Sequence, residues 1–389
     1  MTSEVMIVAG EASGDLHGAQ LITSMQILEP SLTFCGMGGR ELEKAGVEIL
    51  YEAAKIAVVG LVEVVSHLGD ILSAQITLRR RLSQNRPKLL ILIDFPDFNL
   101  LLARKARRLG IPVFYYISPQ VWAWRSGRVK TIARLVDKIG VILPFEEQFY
   151  RDRGVDAHYV GHPLLDSVSR TFSREQFCQI HNIDARKKII GVLPGSRIKE
   201  VKRLLPVFLG ASCLVQQKSE ERLVFLVPKA STITEQTLLD CGVENYRAQL
   251  DIRIISDNQY DLMASCDAAI TASGTVTLEL LLLDTPMVAA YKLSPRTYQL
   301  GKFLVKVRFF SLVNLIADDA IIPELLQDEA NPDRIASELQ RLLHNQEARY
   351  RMLRGFNQVR VLLGQPGASQ RAARLALSII NTYERPGHG

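Results

Sequence analysis

Short apolar runs alternate with longer segments of helical spacing along the whole chain. In the first half they predict strands at Val5 to Ala9, Leu32 to Cys35, Leu89 to Ile93, Val113 to Tyr116 and Ile139 to Leu143. In the second half they predict strands at Ile189 to Leu193, Leu223 to Val227, Ile252 to Ile255, Ala268 to Thr271 and Met287 to Ala290. Runs that are apolar throughout are typical of parallel strands covered by helices on both faces. The pattern therefore predicts an α/β protein with two Rossmann-like units.

The glycine and proline of Gly161-His162-Pro163 interrupt this pattern and are followed by a polar stretch. We therefore predict an N-terminal domain over residues 1–165 and a C-terminal domain over residues 166–365. Residues 366–389 have helical spacing after Pro366 and Gly367. They predict a helix that crosses back to the first domain or packs on another subunit.

The composition limits the classes of protein that fit. The chain has 389 residues, of which 47% are hydrophobic and 23% charged, as in ordinary soluble globular proteins. It offers no run of 18 apolar residues and no signal-peptide pattern at its N-terminus, so we expect a cytoplasmic protein. The five cysteines are scattered and lack the spacing of metal ligands, so we expect neither a disulfide nor a zinc site.

The charge balance is basic, with a formal net charge of +6. Such a balance fits nucleic acid, an anionic membrane surface or no partner. Basic residues occur beside apolar ones in Leu78 to Arg86, in Arg104 to Arg108 and in Arg296 to Phe310, and the segment Ile56 to Leu78 is also rich in apolar residues. This mixture favours an anionic membrane surface over nucleic acid. The alternative, that these segments pack against their own domain, stays open.

A turn suited to an anion follows the strand Ile189 to Leu193. Gly195 allows a sharp turn, Ser196 supplies a hydroxyl, and Arg197 adds a fork of donors at the start of a predicted helix that contains Glu200. The free N–H groups of a first helical turn favour phosphate. An ordinary strand-to-helix turn with a surface arginine is the alternative.

A second turn of the same kind follows the strand Ala268 to Thr271. Ser273, Gly274 and Thr275 are small, leave room for a diphosphate and supply hydroxyl donors. Glu279 lies one turn further and is suited to accept from the two hydroxyls of a ribose. Because successive parallel strands end at one edge of a sheet, the two turns predict a site for a nucleotide diphosphate.

The first half has its own candidate loops. Glu11, Ser13 and Asp15 lie in a glycine-rich loop after Val5 to Ala9, where acids suit neutral sugar hydroxyls better than a pyrophosphate. Asp94 and Asp97 follow the strand Leu89 to Ile93 among Phe95, Pro96 and Phe98. We choose Asp97 over Asp94 as a general base, in a pocket dry enough to raise its proton affinity.

Aromatic and amide groups follow the next strand. Gln120 and Trp122 come soon after Val113 to Tyr116. An indole ring stacks on a sugar face but is equally suited to a core. We predict that both residues contact a sugar.

Taken together, these motifs resemble the lipid-A-disaccharide synthase family. The resemblance rests on GEASGDLHGA, IDFPDFNL, YYISPQVWAWR, LPFE, VGHPLLD, LPGSR, ASGTVTLE and SLVNLIADDAIIPELLQ, and covers nearly the whole chain. It implies an inverting glycosyltransferase of GT-B type, with two Rossmann-like domains facing across a cleft. It also implies that UDP-2,3-diacylglucosamine is joined to 2,3-diacylglucosamine 1-phosphate, releasing UDP and giving a β-1,6-linked disaccharide for lipid A.

The resemblance also implies roles for individual residues. Asp97 corresponds to the base on the acceptor 6-hydroxyl, and the segments Gly195 to Glu200 and Ser273 to Glu279 correspond to the nucleotide site. It adds three sugar-binding residues from the late motif, namely Asn314, Glu324 and Gln327. Val313 departs from the family pattern, in which proline is common, and this leaves the geometry of that loop open.

The same resemblance implies a homodimer with exchanged C-terminal helices and attachment to the cytoplasmic face of the inner membrane, with no nucleic acid partner. We expect no cofactor and no metal, because no Asp-x-Asp pair lies near the nucleotide motifs. The alternatives are an enzyme similar to UDP-N-acetylglucosamine 2-epimerase and a peripheral membrane protein that binds acylated sugars without chemistry.

Overall fold

The computed structural model describes residues 3–56, 68–124, 126–230, 232–293 and 308–384. The chain divides into two compact units, one formed by Met1–Asp166 with Gln365–Gly389 and the other by Ser167–Gly364. The division lies close to the predicted boundaries at residues 165 and 365. It assigns the C-terminal segment to the first unit.

The first unit contains a parallel sheet in the order β3-β2-β1-β4-β5-β6-β7. Its strands are β1 (Glu4–Ala9), β2 (Thr33–Gly38), β3 (Glu48–Glu52), β4 (Leu89–Ile93), β5 (Val113–Tyr116), β6 (Lys138–Val141) and β7 (Ala157–Tyr159). Its helices are α1 (Ala12–Leu28), α2 (Arg40–Lys44), α3 (Leu68–Asn85), α4 (Pro96–Arg108), α5 (Val121–Trp124), α6 (Val129–Leu135), α7 (Pro144–Arg151) and α8 (Leu164–Ser167), with short 3-10 turns at Ala53–Lys55 and Ser126–Arg128.

The second unit contains a parallel sheet in the order β10-β9-β8-β11-β12-β13. Its strands are β8 (Ile189–Leu193), β9 (Val224–Pro228), β10 (Asp251–Ile255), β11 (Ala268–Ala272), β12 (Met287–Tyr291) and β13 (Glu324–Leu326). Its helices are α9 (Arg174–Ile180), α10 (Ile198–Gln217), α11 (Glu235–Asp240), α12 (Val243–Tyr246), α13 (Gln259–Ser265), α14 (Val276–Leu282), α15 (Leu312–Ala317), α16 (Pro332–His344) and α17 (Gln346–Leu363). The last helix of the chain, α18 (Ala368–Glu384), belongs to the first unit.

Both sheets have the strand order of a Rossmann fold. The order reverses beside the first strand of each unit, between β1 and β4 and between β8 and β11. Chain crossovers leave this switch point in opposite directions, so the carboxyl ends of the two strands border a natural ligand site. The loops that begin at Gly10 and Asp94, and those that begin at Pro194 and Ser273, are therefore placed where ligands bind in such sheets.

Apolar residues explain why the central strands form. β1, β4 and β8 are buried along their whole length. In the first unit one face of the sheet packs under α3, α4 and α6, while the other packs under α1 and α18. The residues that α18 contributes to this core are Ala372, Ala373, Ala376, Ile379 and Ile380.

The predicted α/β class is confirmed, and all ten predicted strands are present with shifts of a few residues. β3, β7 and β13 were not predicted. The predicted C-terminal helix is also present, as α18. Residues 57–67 of the apolar segment and residues 296–307 of the late basic segment lie outside the described residues. No helix in the described part of the chain is long and apolar enough to cross a membrane.

Candidate functional site

A cavity of about 340 Å³ lies at the switch point of the second sheet. It is bordered by the loop after β8, the loop after β11 and the first turns of α10 and α14. All eight residues predicted to bind the nucleotide line it, namely Gly195, Ser196, Arg197, Glu200, Ser273, Gly274, Thr275 and Glu279. The structure thus brings together two motifs that are about 80 residues apart in sequence. Nucleotide binding by these residues stays a prediction.

Gly195 is required by the geometry of the first loop. Its φ angle is +104°, a left-handed conformation that favours glycine, and an added Cβ would lie 2.6 Å from Oε2 of Glu200. The Glu200 carboxyl therefore packs against the turn and accepts a hydrogen bond from its backbone at Arg197. Burial raises the pKa of Glu200, while nearby Arg197 opposes that shift. Arg197, which precedes α10, is exposed.

Ser273 offers a donor without a partner. Its Oγ atom is buried and makes no hydrogen bond within the described part of the chain. Buried polar atoms are nearly always satisfied, so an orphan on a cavity wall indicates a ligand or a water. The neighbouring turn is rigid because Thr277 donates to the Gly274 carbonyl at 2.8 Å.

Glu279 places a carboxyl on the same wall. Burial raises its pKa to about 7, the only cause of that shift being desolvation. A buried carboxyl whose pKa no cation lowers among the described residues is suited to accept hydrogen bonds from neutral hydroxyls such as those of a ribose. The ribose contact of Glu279 stays a prediction.

Four of the other residues that line the cavity lie outside the two predicted motifs, namely Pro228, Ala230, Gln259 and Met263. Pro228 ends β9, and Gln259 begins α13 and donates to the Lys229 carbonyl at 3.0 Å. These residues have the chemistry of a wall for a flat base. Their only signal in the sequence is their position after a strand or at the start of a helix.

In the first unit the backbone after β4 is strained. Asp94 and Phe95 have φ angles of +43° and +45°, a conformation that is uncommon in residues other than glycine. Tyr115 donates its hydroxyl to the Asp94 carbonyl at 2.5 Å, and Asn99 donates to the same oxygen at 2.8 Å. Gly10 makes room, because a Cβ there would lie 2.5 Å from the Phe95 ring. The loops after β1 and β4 thus fit each other at the switch point, where strain often marks function.

Asp97 lies in the first turn of α4, directly after this strained turn. Its side chain is 78% exposed, and Oδ1 accepts from Nη2 of Arg128 at 2.5 Å. The expectation of a dry, apolar pocket around this carboxyl is therefore wrong. Phe98 turns into the core instead of covering it. Asp97 keeps the position expected of a base at the sheet edge, but its immediate partner is a guanidinium that the sequence did not predict.

The Asp15 carboxylate forms hydrogen bonds within the first unit. It is buried, and its carboxylate accepts backbone N–H groups of Gly39 (2.6 Å), Glu41 (2.9 Å) and Leu42 (3.3 Å). It therefore caps the start of α2 from a neighbouring helix. The predicted contact between Asp15 and a sugar stays a prediction.

Glu11 and Ser13 lie at the start of α1, the first half-buried and the second exposed. They border the same edge of the sheet as Asp94. Their predicted sugar contacts are untested.

Trp122 is held by a buried carboxyl. Its Nε1 donates to Oε1 of Glu146 at 2.9 Å, and the backbone N–H of Leu143 donates to Oε2 at 3.0 Å. Burial raises the pKa of Glu146 to about 7. The indole also packs edge-on against Phe145. Gln120, two residues before Trp122, is exposed.

Asn314, Glu324 and Gln327 do not line the cavity. The Asn314 amide is buried. Its Oδ1 accepts from the N–H groups of Ile321 and Ile322, and its Nδ2 donates to the Ile322 carbonyl. Glu324 accepts from the backbone of Phe310 and from both N–H and hydroxyl of Ser311, and Gln327 accepts from Leu293 N–H. Glu324 and Gln327 thus hold the backbone on either side of residues 294–307, and Asn314 holds the loop that follows α15. The sequence did not anticipate this use, and their sugar contacts stay predictions.

The two Rossmann-like sheets define the GT-B fold class. Solved structures share this architecture at low identity. MurG of Acinetobacter baumannii aligns with a TM-score of 0.59 and 16% identity over 96% of this chain and 99% of that chain. UDP-GlcNAc 2-epimerase of Neisseria meningitidis, solved with UDP-GlcNAc, aligns with a TM-score of 0.63 and 11% identity over 97% and 100%.

Sequence relatives narrow the class. Residues 5–379 match the family model described as lipid-A-disaccharide synthetase. The lipid-A-disaccharide synthase of Geobacter sulfurreducens is 46% identical over 97% of both chains, and that of Syntrophus aciditrophicus is 47% identical over 97% of both chains. The chain belongs to the lipid-A-disaccharide synthetase family. It is therefore a glycosyltransferase of lipid A biosynthesis, and the resemblance inferred from its motifs is confirmed.

Proposed function

We propose that the protein joins UDP-2,3-diacylglucosamine to the 6-hydroxyl of 2,3-diacylglucosamine 1-phosphate, giving the β-1,6-linked lipid A disaccharide 1-phosphate and UDP. The observation that carries the proposal is the cavity at the switch point of the second sheet. There a glycine turn, Arg197, the orphan hydroxyl of Ser273 and the carboxyl of Glu279 converge. This set matches the diphosphate and ribose of one ligand.

The nucleotide site works by stabilising a leaving group. When the C1–O bond of the donor breaks, both electrons go to the diphosphate oxygen, and negative charge increases there. Arg197, the Ser273 hydroxyl and the N–H groups at the start of α10 are fixed donors beside that charge. Donors placed in advance lower the barrier without reorganising during the reaction.

The acceptor is activated from the first unit. Asp97 takes the proton of the 6-hydroxyl as its oxygen attacks C1 of the donor, so the carboxylate becomes protonated and the new C–O bond forms. Attack opposite the departing UDP inverts the anomeric carbon and gives the β-linkage.

We propose that the reaction needs no metal ion. Arg197 and the donors at the start of α10 supply the charge stabilisation that a divalent cation provides in other glycosyltransferases. The proposal rests on the donors present and is tested with a chelator.

We further propose that the protein attaches to an anionic membrane through the outer faces of α3 and α4. Leu72, Ile76 and Leu101 are 56%, 60% and 42% exposed there, although they are large and apolar. The helices are linked by Arg79, which donates to the Leu101 carbonyl at 3.4 Å. Basic residues flank the apolar ones, namely Arg80, Arg104, Lys105 and Arg108. Apolar anchors ringed by cations suit acyl chains below anionic headgroups.

Vesicle binding tests the membrane surface. The triple variant Leu72→Ser, Ile76→Ser, Leu101→Ser is expected to bind phosphatidylglycerol vesicles at least tenfold more weakly in a sedimentation assay. Ile27→Ser is the matched control, because Ile27 is 75% exposed in the same unit but lies on α1. Equal binding by the triple variant and the control would refute this surface.

A homodimer is also proposed. In the single chain α18 packs against α1 and buries its apolar face in the first unit. The same face of a partner's helix would satisfy that core equally well, with the exchange made at the glycines Gly364 and Gly367, both of positive φ. Light scattering during size exclusion tests this, and a monomer at micromolar concentration would contradict it.

The decisive experiment measures UDP release from UDP-2,3-diacylglucosamine in detergent micelles, with and without the monosaccharide 1-phosphate, in EDTA. We expect release that depends on the acceptor and survives the chelator. Release without acceptor would indicate a hydrolase or an epimerase-like enzyme. Binding of the donor with no release would indicate a non-catalytic lipid-binding protein, and loss of activity in EDTA restored by Mg²⁺ would refute metal independence.

A further inference from the structure

Arg128 forms an ion pair with the proposed base. Its Nη2 lies 2.5 Å from Oδ1 of Asp97, across 31 residues of sequence. The guanidinium side chain is only 25% exposed, while its partner is 78% exposed. Val129 and Ile132, which follow in α6, are buried in the core under β4 and β5. The backbone of Arg128 is thus anchored, and its charge is fixed at the edge where Asp97 lies.

This ion pair contributes little to stability. The Asp97 carboxylate lies in water for most of its surface, and an ion pair of that kind is weak because solvent screens it. A weak pair is easily exchanged for a better partner. The guanidinium presents a planar fork of donors that fits the oxygens of a phosphate, and phosphate carries more charge than a carboxylate.

The 6-hydroxyl and the 1-phosphate of the proposed acceptor lie close together on the sugar. Its 6-hydroxyl is on the carbon attached to C5 and its phosphate is on C1, and C5 and C1 both bond to the ring oxygen. Asp97 and Arg128 are also close together in the protein. One sugar can therefore place its 6-hydroxyl at Asp97 and its phosphate at Arg128.

We propose that Arg128 binds the anomeric phosphate of the acceptor and so selects phosphorylated over unphosphorylated sugars. In the structure Oδ1 of Asp97 accepts from Nη2, one donor of the Arg128 fork. When the acceptor binds, the phosphate takes the guanidinium, and Asp97 is released to accept the hydroxyl proton. The inference rests on the proposed function, because it requires the 6-hydroxyl to lie at Asp97.

The test compares two acceptors, 2,3-diacylglucosamine 1-phosphate and the same sugar with a free 1-hydroxyl. We expect the wild type to have a KM about 10- to 100-fold lower for the phosphorylated sugar, as for a charge-assisted hydrogen bond. Arg128→Gln should raise that KM by the same factor, leave the KM of the UDP-linked donor within about twofold, and abolish the preference. Arg128→Lys should keep part of the preference, since it retains the charge without the fork.

Lys130→Gln is the matched control. Lys130 is an exposed cation two residues away on α6, and its removal should leave the preference of the wild type unchanged. A wild type without preference would overturn the proposal, whatever the variants do. A variant Arg128→Gln that keeps the full preference, or that loses activity equally on both acceptors, would also overturn it, since the second result is that of a merely structural residue.

Equilibrium binding separates this proposal from the assignment of the base. In Asp97→Asn, displacement of a fluorescent acceptor by the two sugars should still show the phosphate preference. If Asp97→Asn turns over normally, the base assignment fails. If it is inactive but binds both sugars equally, the assignment of Arg128 fails.

Discussion

The two switch points of this molecule share one topology and treat polar groups differently. At the second sheet, the Ser273 hydroxyl is buried and makes no hydrogen bond within the described residues, and burial alone raises the pKa of the Glu279 carboxyl. At the first sheet, Asp15 accepts from backbone N–H groups, Asp97 pairs with Arg128 and Trp122 donates to Glu146, although Oδ1 of Asn99 and Oγ of Ser118 are also buried there without a hydrogen bond in the described residues. Identical strand order therefore does not produce identical sites.

The difference indicates two strategies of recognition. In the proposed nucleotide site, a ligand would supply the hydrogen bonds that the cavity wall lacks. At the carboxyl edge of the first sheet, Asp94 and Phe95 have positive φ and are held by hydrogen bonds. The same edge presents the exposed carboxylate of Asp97 in an ion pair that a ligand can displace. The comparison predicts that changes in the first site act mainly on turnover, acceptor recognition or stability, whereas changes in the second act mainly on nucleotide affinity.

The largest expected effect is on turnover at the first edge. Asp97→Asn should lower kcat about 10²- to 10⁴-fold, because the amide cannot take the proton, while the donor KM changes little. Asp94→Asn is the comparison variant, because the backbone carbonyl of Asp94, which the substitution keeps, accepts the hydrogen bonds that hold this turn. We expect it to reduce kcat less than tenfold. The reverse ranking in steady-state assays would move the base to Asp94.

The next effect is on nucleotide affinity in the second unit. Arg197→Gln should weaken UDP binding about 10- to 100-fold and Ser273→Ala about fivefold, measured by titration calorimetry. Arg334→Gln is the control, since Arg334 is an exposed arginine of the same unit that does not line the nucleotide cavity. Equal affinity of Ser273→Ala and wild type would mean that the orphan hydroxyl has another partner, and the contrast between the two sites would weaken.

A smaller effect should depend on pH. Burial raises the pKa of Glu279 to about 7, and the ionised carboxylate is the better acceptor for ribose hydroxyls. Donor affinity should therefore rise severalfold between pH 6 and pH 8, and Glu279→Gln should remove most of that dependence. The UDP-linked donor is the suitable ligand because its diphosphate diester does not titrate in this range. A pH dependence unchanged in the variant would exclude Glu279 as the source.

The same group gives a stability effect of opposite sign. Because the folded-state pKa lies above the ordinary value of 4.5, the folded state holds the proton more tightly than the unfolded state. Stability of the ligand-free protein should therefore fall as pH rises from about 4.5 to about 7, by at most about 3 kcal/mol. Glu146 titrates in the same range, so the measurement is the difference between wild type and Glu279→Gln in urea denaturation at each pH. An identical pH profile for the two proteins would contradict this.

The smallest effect distinguishes the two possible roles of Asp15, a structural cap of α2 and a contact to a sugar. If Asp15 only caps α2, Asp15→Asn should lower the free energy of unfolding by about 1 to 2 kcal/mol and leave both KM values unchanged. Thermal unfolding and steady-state kinetics measure the two quantities. An unchanged melting temperature with a higher KM would favour the sugar contact that the sequence predicted.

Much of the fold could be predicted because it depends on local patterns. Central strands such as β4 and β8 are buried on both faces, so every residue is apolar and the run is visible in the sequence. β3, β7 and β13 lie at the sheet edges, where half-buried and polar residues replace that run. The sequence carries no comparable signal for them, because an edge strand is defined by its neighbour.

The candidate site divides in the same way. The nucleotide motifs could be predicted because the turn chemistry of Gly195 and the small residues around Gly274 are local requirements of a strand that leads into a helix. Gln259 and Met263 were missed because they reach the cavity from a different crossover. The uses of Asp15 and Asn314 were also missed, since a carboxylate or an amide looks the same in sequence whether it meets a sugar or a backbone N–H.

By itself the sequence determined the α/β class and the two units, because apolar periodicity and turn residues act over a few positions. Its motifs carried the resemblance to the family and marked the candidate loops. The tertiary structure alone decided which polar groups remain available to a ligand. Arg128 meets Asp97, and Glu146 meets Trp122, because parallel strands bring their carboxyl ends to one edge regardless of their separation in sequence. Whether a side chain is left unsatisfied or is already paired depends on that convergence.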